Sequence, residues 1–71
     1  MPMISIKLNG KEELVHDGMS LAALLQKLGI PADTVAVEVN LDIISRDKRA
    51  SCQLKQGDEV EIVKFVGGGR G

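Results

Sequence analysis

Aromatic residues are almost absent from this sequence: Phe65 is the only one among 71 residues, and there is no tryptophan or tyrosine. Positive charge is not in excess either, because nine lysines and arginines stand against ten aspartates and glutamates, a formal net charge of −1. A protein that binds nucleic acid commonly presents a basic surface to the phosphates and aromatic rings to the bases. We therefore expect no nucleic-acid partner.

Cysteine and histidine are equally scarce, with Cys52 and His16 the single examples. One cysteine excludes an internal disulfide, and neither residue type is numerous enough for the usual zinc sites, so we expect no metal. A lone small thiol is more often packed in the interior than reactive, and we expect this of Cys52. Persulfide chemistry or a covalent bond to a partner at Cys52 is the alternative.

Segments that would indicate export, membrane insertion or nucleotide binding are also missing. The N-terminus lacks a basic region followed by an apolar one, and no apolar run approaches the roughly 20 residues of a membrane helix. No glycine-rich phosphate loop lies between a strand and a helix pattern, so the chain should not bind ATP by itself. We expect a cytoplasmic protein with no membrane partner and no bound cofactor.

Aliphatic residues supply the core instead, and their spacing first predicts a hairpin. Apolar residues occupy every second position from Ile4 to Leu8, the period of a half-buried strand. Asn9-Gly10 follows, a dipeptide suited to a type I′ turn because both central positions need positive φ. Residues 11–15 form the returning strand, in which we expect Leu14 to point into the core.

A short amphipathic helix is predicted after the hairpin. Ser20 is suited to cap its N-terminus, Gly29 suits the left-handed residue that ends it, and Pro31 prevents its continuation. At about two turns the helix needs a surface to pack on, and the hairpin offers one. Its apolar stripe consists of four leucines with the i, i+3, i+4, i+7 spacing of one helix face: Leu21, Leu24, Leu25 and Leu28.

Three further strands complete the predicted order β-β-α-β-β-β: Val35 to Val39, the very short Ile43-Ile44, and Glu59 to Phe65. A hairpin, a helix packed across the sheet and a last strand parallel to the first make an α+β roll with a mixed sheet of four to five strands. This is the ubiquitin-like β-grasp arrangement. The polar connection before the last strand is expected to be a solvated surface, or alternatively part of a partner interface: Arg46, Asp47, Lys48 and Arg49.

The sequence ends in Val66-Gly67-Gly68-Gly69-Arg70-Gly71. Consecutive glycines have no side chains for a core and lose the most backbone entropy when they are ordered. We therefore divide the chain into a domain, residues 1–66, and a flexible tail, residues 67–71, that protrudes from the last strand. An ordinary disordered terminus is the alternative interpretation.

The ordered set of these features resembles the sulfur carriers of the ubiquitin-like superfamily, and among them the ThiS family of thiamin biosynthesis. The resemblance covers essentially the whole chain and includes the Asn9-Gly10 turn, the leucine-rich helix and the glycine tail. Three further segments belong to it: Val37-Glu38-Val39-Asn40, Ile43-Ile44 with Arg46 shortly after, and the turn and strand from Gly57 to Ile62.

The resemblance implies a carrier that is a protein co-substrate and not an enzyme. An adenylating, E1-like enzyme would use ATP and magnesium to activate the carboxylate of the terminal glycine. A persulfide derived from cysteine would displace AMP and leave a thiocarboxylate, and the thiazole synthase would accept that sulfur. The sequence itself offers no nucleophile, base and orienting group that could form an active site.

The tail departs from the family pattern, which ends on Gly-Gly, because Arg70-Gly71 follow here. Ten residues separate Gly57 from Gly68, the spacing that the family has between its Gly-Asp turn and its diglycine. We therefore expect a peptidase to remove Arg70-Gly71 and to expose Gly69 as the sulfur-bearing residue. The alternatives are that Gly71 itself accepts the sulfur, or that the carrier function has been lost.

The last strand has apolar residues in both of its phases near its end. A bulge or burial on both faces would account for them. The functional hypothesis is that Val63, Phe65 and Val66 form an exposed apolar patch beside the tail, of the kind that binds a partner protein.

Two other functions remain open. The small subunit of molybdopterin synthase also carries sulfur on a terminal glycine, although such subunits are usually longer, with an additional helix. A non-catalytic β-grasp interaction module with an inert tail is the alternative from a different class of protein.

Overall fold

The computed structural model of the protein describes residues 2–65. Within that range the chain forms five strands, one α-helix and two 3₁₀ helices. Val66 and the predicted tail, residues 67–71, lie outside the described residues. The strands are β1 (Met3–Leu8), β2 (Lys11–His16), β3 (Val35–Val39), β4 (Asp42–Ile43) and β5 (Glu59–Lys64), the helix is α1 (Leu21–Lys27), and the 3₁₀ helices are Ala32–Thr34 and Arg46–Ser51.

The five strands form one mixed sheet in the order β2-β1-β5-β3-β4. β1 and β5 run parallel at the centre of the sheet, and the other neighbours are antiparallel. The first strand and the last strand of the described chain are therefore neighbours, as the roll requires. The predicted β-grasp fold with one main helix is confirmed.

The core lies between the inner face of the sheet and α1. Ser20 caps the helix as predicted, because its Oγ accepts a hydrogen bond of 3.0 Å from the amide of Ala23. Gly29 has φ +73° just beyond the helix, as expected. Three of the four leucines in the stripe are buried, whereas Leu28 at the helix end is 37% exposed. The buried apolar residues are Ile4, Ile6, Val15, Leu21, Leu24, Leu25, Val35, Val37, Val39, Leu54 and Val60.

The inward residue of β2 is Val15, and the prediction of Leu14 was wrong. Leu14 is 61% exposed and Val15 only 1%. The turn has positive φ at both Asn9 and Gly10, as predicted, and it sets a register in which Ile4 stands opposite Val15. Since directly opposed residues share a face, Leu14 lies on the outer face of the sheet. When two apolar residues are adjacent, periodicity alone does not show which of them points into the core.

The short fourth strand begins one residue earlier than the predicted Ile43-Ile44. Asn40 and Leu41 have φ of 52° and 74°, so the turn lies at these residues and β4 is Asp42–Ile43. No helix within residues 2–65 is long and apolar enough to cross a membrane.

Arg49 is buried, at 5% exposure, so the expectation of a solvated surface was wrong for this residue. Its Nη1 donates to the carbonyl of Ala32 at 2.8 Å and its Nη2 to the carbonyl of Val35 at 2.9 Å. The guanidinium therefore joins the second 3₁₀ helix to the start of β3. Cys52, at the end of the same helix, is partly buried against the core, which confirms the expected packing.

We predict that Arg49→Met lowers the free energy of unfolding by about 1–3 kcal/mol, because the methionine keeps an apolar stem but leaves two carbonyls without their donors. Arg46→Met, at an exposed position of the same 3₁₀ helix, should change it by less than about 0.5 kcal/mol. Urea denaturation of both variants measures the difference. Equal effects would show that the two hydrogen bonds of Arg49 contribute nothing.

Candidate functional site

The tail follows the strand at the centre of the sheet. β5 ends at Lys64, with β1 on one side and β3 on the other. The amide of Phe65 still donates to the carbonyl of Thr34 at 3.0 Å. The described chain is thus held to the sheet up to the residue before Val66, and the glycine residues begin close to that point.

Two asparagine side chains hold β5, one near each end. Asn9 bonds the backbone of Ile62, with Oδ1 accepting from the amide at 2.8 Å and Nδ2 donating to the carbonyl at 3.3 Å. Asn40 accepts from the amide of Glu59 at 3.0 Å and donates to the carboxylate of Asp58 at 2.9 Å. Neither role was expected from the sequence, in which Asn9 indicates a turn and Asn40 belongs to a segment of the family resemblance. The sequence signal for such a role is an asparagine directly after a strand, at a turn position that takes positive φ.

The predicted docking residues that the structure describes are exposed. Val63 is 54% exposed and Phe65 60%, whereas Val60 on the other phase of β5 is 1% exposed. Ile62 packs partly against the core. The strand is therefore buried on one face, and burial on both faces is not the reason for its apolar residues. Whether Val63 and Phe65 bind a partner stays a prediction, and Val66 lies outside the described residues.

Further apolar residues extend this exposed area. Ala36 is the register partner of Val63 on β3, and Ile43 on β4 is 75% exposed. The β3–β4 edge also carries a shallow depression of about 300 Å³, lined by Ala36, Ile43 and Phe65 together with residues of the inner face and of the 3₁₀ helices, including Val35, Val37, Arg46 and Arg49. We call Ala36, Ile43, Val63 and Phe65 the outer apolar surface. The sequence reasoning missed Ile43, because the exposure of a two-residue strand depends on the neighbour it pairs with.

Two carboxylates border the outer apolar surface. Glu38 on β3 stands directly opposite Glu61 on β5, and on its other side it faces Ile43. Like charges at directly opposed positions destabilise a sheet. The pair therefore costs some stability, and it places two negative charges beside the apolar residues.

The described residues show no other arrangement of chemical groups suited to a reaction. Residues 2–65 contain no cluster of three or more His, Cys, Asp or Glu that could hold a metal ion. A second depression of about 310 Å³ lies between α1 and the second 3₁₀ helix, where its polar side chains are Gln26, Arg46 and Arg49. The site that the structure offers is thus the end of β5, with the surface around it.

A family model described as the ThiS family matches residues 4–69 of this chain. The chain belongs to the ThiS family. The resemblance seen in the sequence is confirmed, and the matched range runs from the second residue of β1 through β5 to the three consecutive glycines.

Relatives and solved structures agree with the ThiS assignment. The chain is 35% identical over 65 residues to the sulfur carrier protein ThiS of Bacillus subtilis, covering 90% of this chain and 98% of that one. The crystal structure of the thiamine biosynthesis protein ThiS from Geobacter metallireducens matches with a TM-score of 0.81 and 32% identity, covering 93% of this chain and 100% of that one.

Longer proteins also contain a region similar to this ThiS-family chain. A thiazole synthase of Paramagnetospirillum magneticum is 39% identical over 66 residues, which cover 93% of this chain and 20% of that protein. A thiazole synthase of Magnetococcus marinus is 37% identical over 67 residues, 94% of this chain and 21% of that protein. The chain spans about a fifth of the length of these two relatives.

We predict that Glu61→Gln raises the free energy of unfolding by about 0.2–1 kcal/mol, because it removes the repulsion with Glu38. The gain should fall at about 1 M salt, where exposed charges are screened. Glu59→Gln is the control, since the register partner of Glu59 on β1 is Lys7 and the substitution removes an attraction. Urea denaturation at low and high salt measures both. A destabilised Glu61→Gln variant would contradict the repulsion.

Proposed function

We propose that this ThiS-family chain is a sulfur carrier whose terminal glycine becomes a thiocarboxylate and supplies the sulfur of the thiazole ring in thiamin biosynthesis. The observation that carries the proposal is the match to the ThiS family over residues 4–69, which extends through the glycines to Gly69. The relative of nearly equal length is named a sulfur carrier protein, which supports it.

The chemistry requires activation of a carboxylate. An oxygen of the glycine carboxylate attacks the α-phosphorus of ATP in an E1-like enzyme with magnesium, and pyrophosphate leaves. The outer sulfur of a cysteine persulfide then attacks the carbonyl carbon, and AMP leaves. A thiol reduces the resulting acyl disulfide, which releases the thiocarboxylate. All catalytic groups belong to the partners, so the carrier is a co-substrate that binds no cofactor.

The thiazole synthase is the proposed acceptor of the sulfur. Two proteins named thiazole synthase contain a region similar to over nine-tenths of this chain. A carrier that acts on the same reaction as a synthase gains from being part of the same polypeptide, since the tether raises the effective concentration. The presence of the region in those proteins supports a transient complex between this separate chain and a thiazole synthase.

Gly69 is the proposed sulfur-bearing residue, after a peptidase has removed Arg70-Gly71. The family match ends at residue 69, which supports this choice over Gly71. Gly69 is the fourth residue after Phe65, the last described residue, and these four residues span at most about 13–14 Å when extended. Glycines allow such a segment to enter a narrow channel of the enzyme while the domain stays outside.

The outer apolar surface is the proposed docking area for the activating enzyme. Val63 and Phe65 are the exposed apolar side chains nearest to the tail, so a partner that binds the tail must lie beside them. Glu38 and Glu61 add negative charge at the border. We therefore expect the enzyme to present apolar side chains flanked by lysine or arginine, because complementary charges raise the association rate and fix the orientation.

We predict that intact-mass spectrometry of the chain from its own cells shows loss of Arg70-Gly71. Incubation with the activating enzyme, ATP, magnesium and a persulfide source should then add the increment for one oxygen exchanged for sulfur. The matched control is a chain ending at Gly68, which presents the carboxylate one residue short and should gain no sulfur.

Three other results of this experiment would change the proposal. Sulfur on the full-length chain would make Gly71 the acceptor. Absence of any increment with the cognate enzymes would contradict the carrier function and favour an interaction module. Transfer of the sulfur into a molybdopterin precursor, but not into thiazole, would assign the carrier to the other pathway.

We predict that Phe65→Ser raises the KM of the activating enzyme for the carrier about tenfold or more, since a buried aromatic anchor commonly contributes over 1 kcal/mol to an interface. Leu14→Ser is the matched control, because Leu14 is 61% exposed on the same outer face but lies on β2, two strands from β5. Adenylation kinetics with both variants measure the effect. Equal KM values would place the docking area elsewhere.

A further inference from the structure

We propose that Asn9 is a positioning residue for sulfur transfer, because its carboxamide ends the ladder between β1 and β5 and so sets how far β5 is held from both sides ahead of the tail. The expected effect of Asn9 on sulfur transfer rests on the proposed carrier function. The contact itself, between Asn9 and the backbone of Ile62, stands on the structure alone.

The side chain of Asn9 replaces a peptide group of β1. The parallel ladder advances by two residues at a time, from Lys7 N donating to Asp58 O at 2.9 Å to Asn9 N donating to Val60 O at 2.8 Å. The next step would use the carbonyl of residue 9 and the amide of residue 11, both facing Ile62. The carboxamide of Asn9 supplies that acceptor and that donor instead.

The replacement is needed because the chain turns away at this point. Asn9 has φ +50° and Gly10 has φ +84°, so the backbone leaves β5 and enters the hairpin. Asparagine tolerates the left-handed conformation better than most residues and carries both a donor and an acceptor. Glycine would fit the turn without bonding Ile62, and aspartate would keep the acceptor but lose the donor.

Among residues 2–65, Ile62 is consequently the last one of β5 that is bonded on the β1 side. The next peptide group of β5 that faces the β1 side is that of Lys64, which lies beyond the end of β1. On the other side β3 continues, with Ala36 paired to Val63 and Thr34 bonded to Phe65. The end of β5 next to the tail is thus held from one side only, and Asn9 determines how far the two-sided part extends.

Release of Ile62 would allow β5 to fray earlier. The peptide units after Glu61 would keep only their bonds to β3, and the tail would gain freedom at its base. Val63 and Phe65 would then be positioned on the outer apolar surface by β3 alone. A partner that recognises both that surface and the tail would then have to order them on binding, which weakens the complex.

Asn40 provides a matched control within the same strand. It also has positive φ, +52°, and it also bonds the backbone of β5 through its side chain, but at Glu59, the end far from the tail. Asn40→Gly and Asn9→Gly therefore remove comparable hydrogen bonds and add comparable backbone freedom. They differ in the end of β5 that each one releases.

The experiment compares Asn9→Gly, Asn9→Asp and Asn40→Gly with the unsubstituted chain. Amide hydrogen exchange, followed by NMR, should be about tenfold faster at Ile62 in Asn9→Gly, as loss of one hydrogen bond allows. Exchange at Ile62 should be nearly unchanged in Asn40→Gly. The KM of the activating enzyme for the carrier should rise about fivefold in Asn9→Gly with little change in kcat. The KM for Asn9→Asp should lie between that of Asn9→Gly and that of the unsubstituted chain.

A KM of Asn9→Gly equal to that of the unsubstituted chain would overturn the proposal, as would an equal rise in Asn40→Gly, which would indicate a general loss of stability. Unchanged exchange at Ile62 would show that Asn9 does not hold β5. If the unsubstituted chain gains no sulfur at all, the carrier function fails and the positioning role fails with it. The exchange measurement still decides whether the contact exists, so the two failures can be told apart.

Discussion

The structure depends on the placement of β5 between β1 and β3. Parallel pairing of the first and last strands requires a crossover, and the helix with its following elements provides it. Because β5 is central, its backbone is bonded from both sides over most of its length. The residues that follow in the sequence therefore come after a central strand, bonded to β3 up to Phe65, and not after an edge strand.

One-sided burial leaves apolar side chains exposed on the outer face of the sheet. The helix covers only the inner face of the sheet, where Val60 packs in the core, while Val63 and Phe65 remain exposed on the outer face. The opposed pair Glu38 and Glu61 is retained there in spite of its repulsion. Exposed apolar groups and unfavourable charge have a common physical explanation if a basic, apolar partner surface covers them for part of each cycle.

Local signals in the sequence were sufficient for most of the fold, and they predict a candidate site after the last strand. The alternation in β1, the Asn9-Gly10 turn and the cap at Ser20 were all found as predicted. The predictions of burial were wrong at residues whose surroundings are set by distant parts of the chain. Leu14 and Val15 are adjacent apolar residues, so only the register with β1 selects the inward one. The burial of Arg49 depends on carbonyls of Ala32 and Val35, which the sequence does not mark.

The sequence by itself determined the elements, their order, and a glycine-rich C-terminus, because periodicity, turns and caps act over a few neighbouring residues. The tertiary structure alone decided which residues share the outer face and how β5 is held. Asn9 bonds Ile62 across 53 positions of sequence, and Asn40 bonds Glu59 across 19. Such contacts form only when the crossover brings distant strands together, so no local pattern records them.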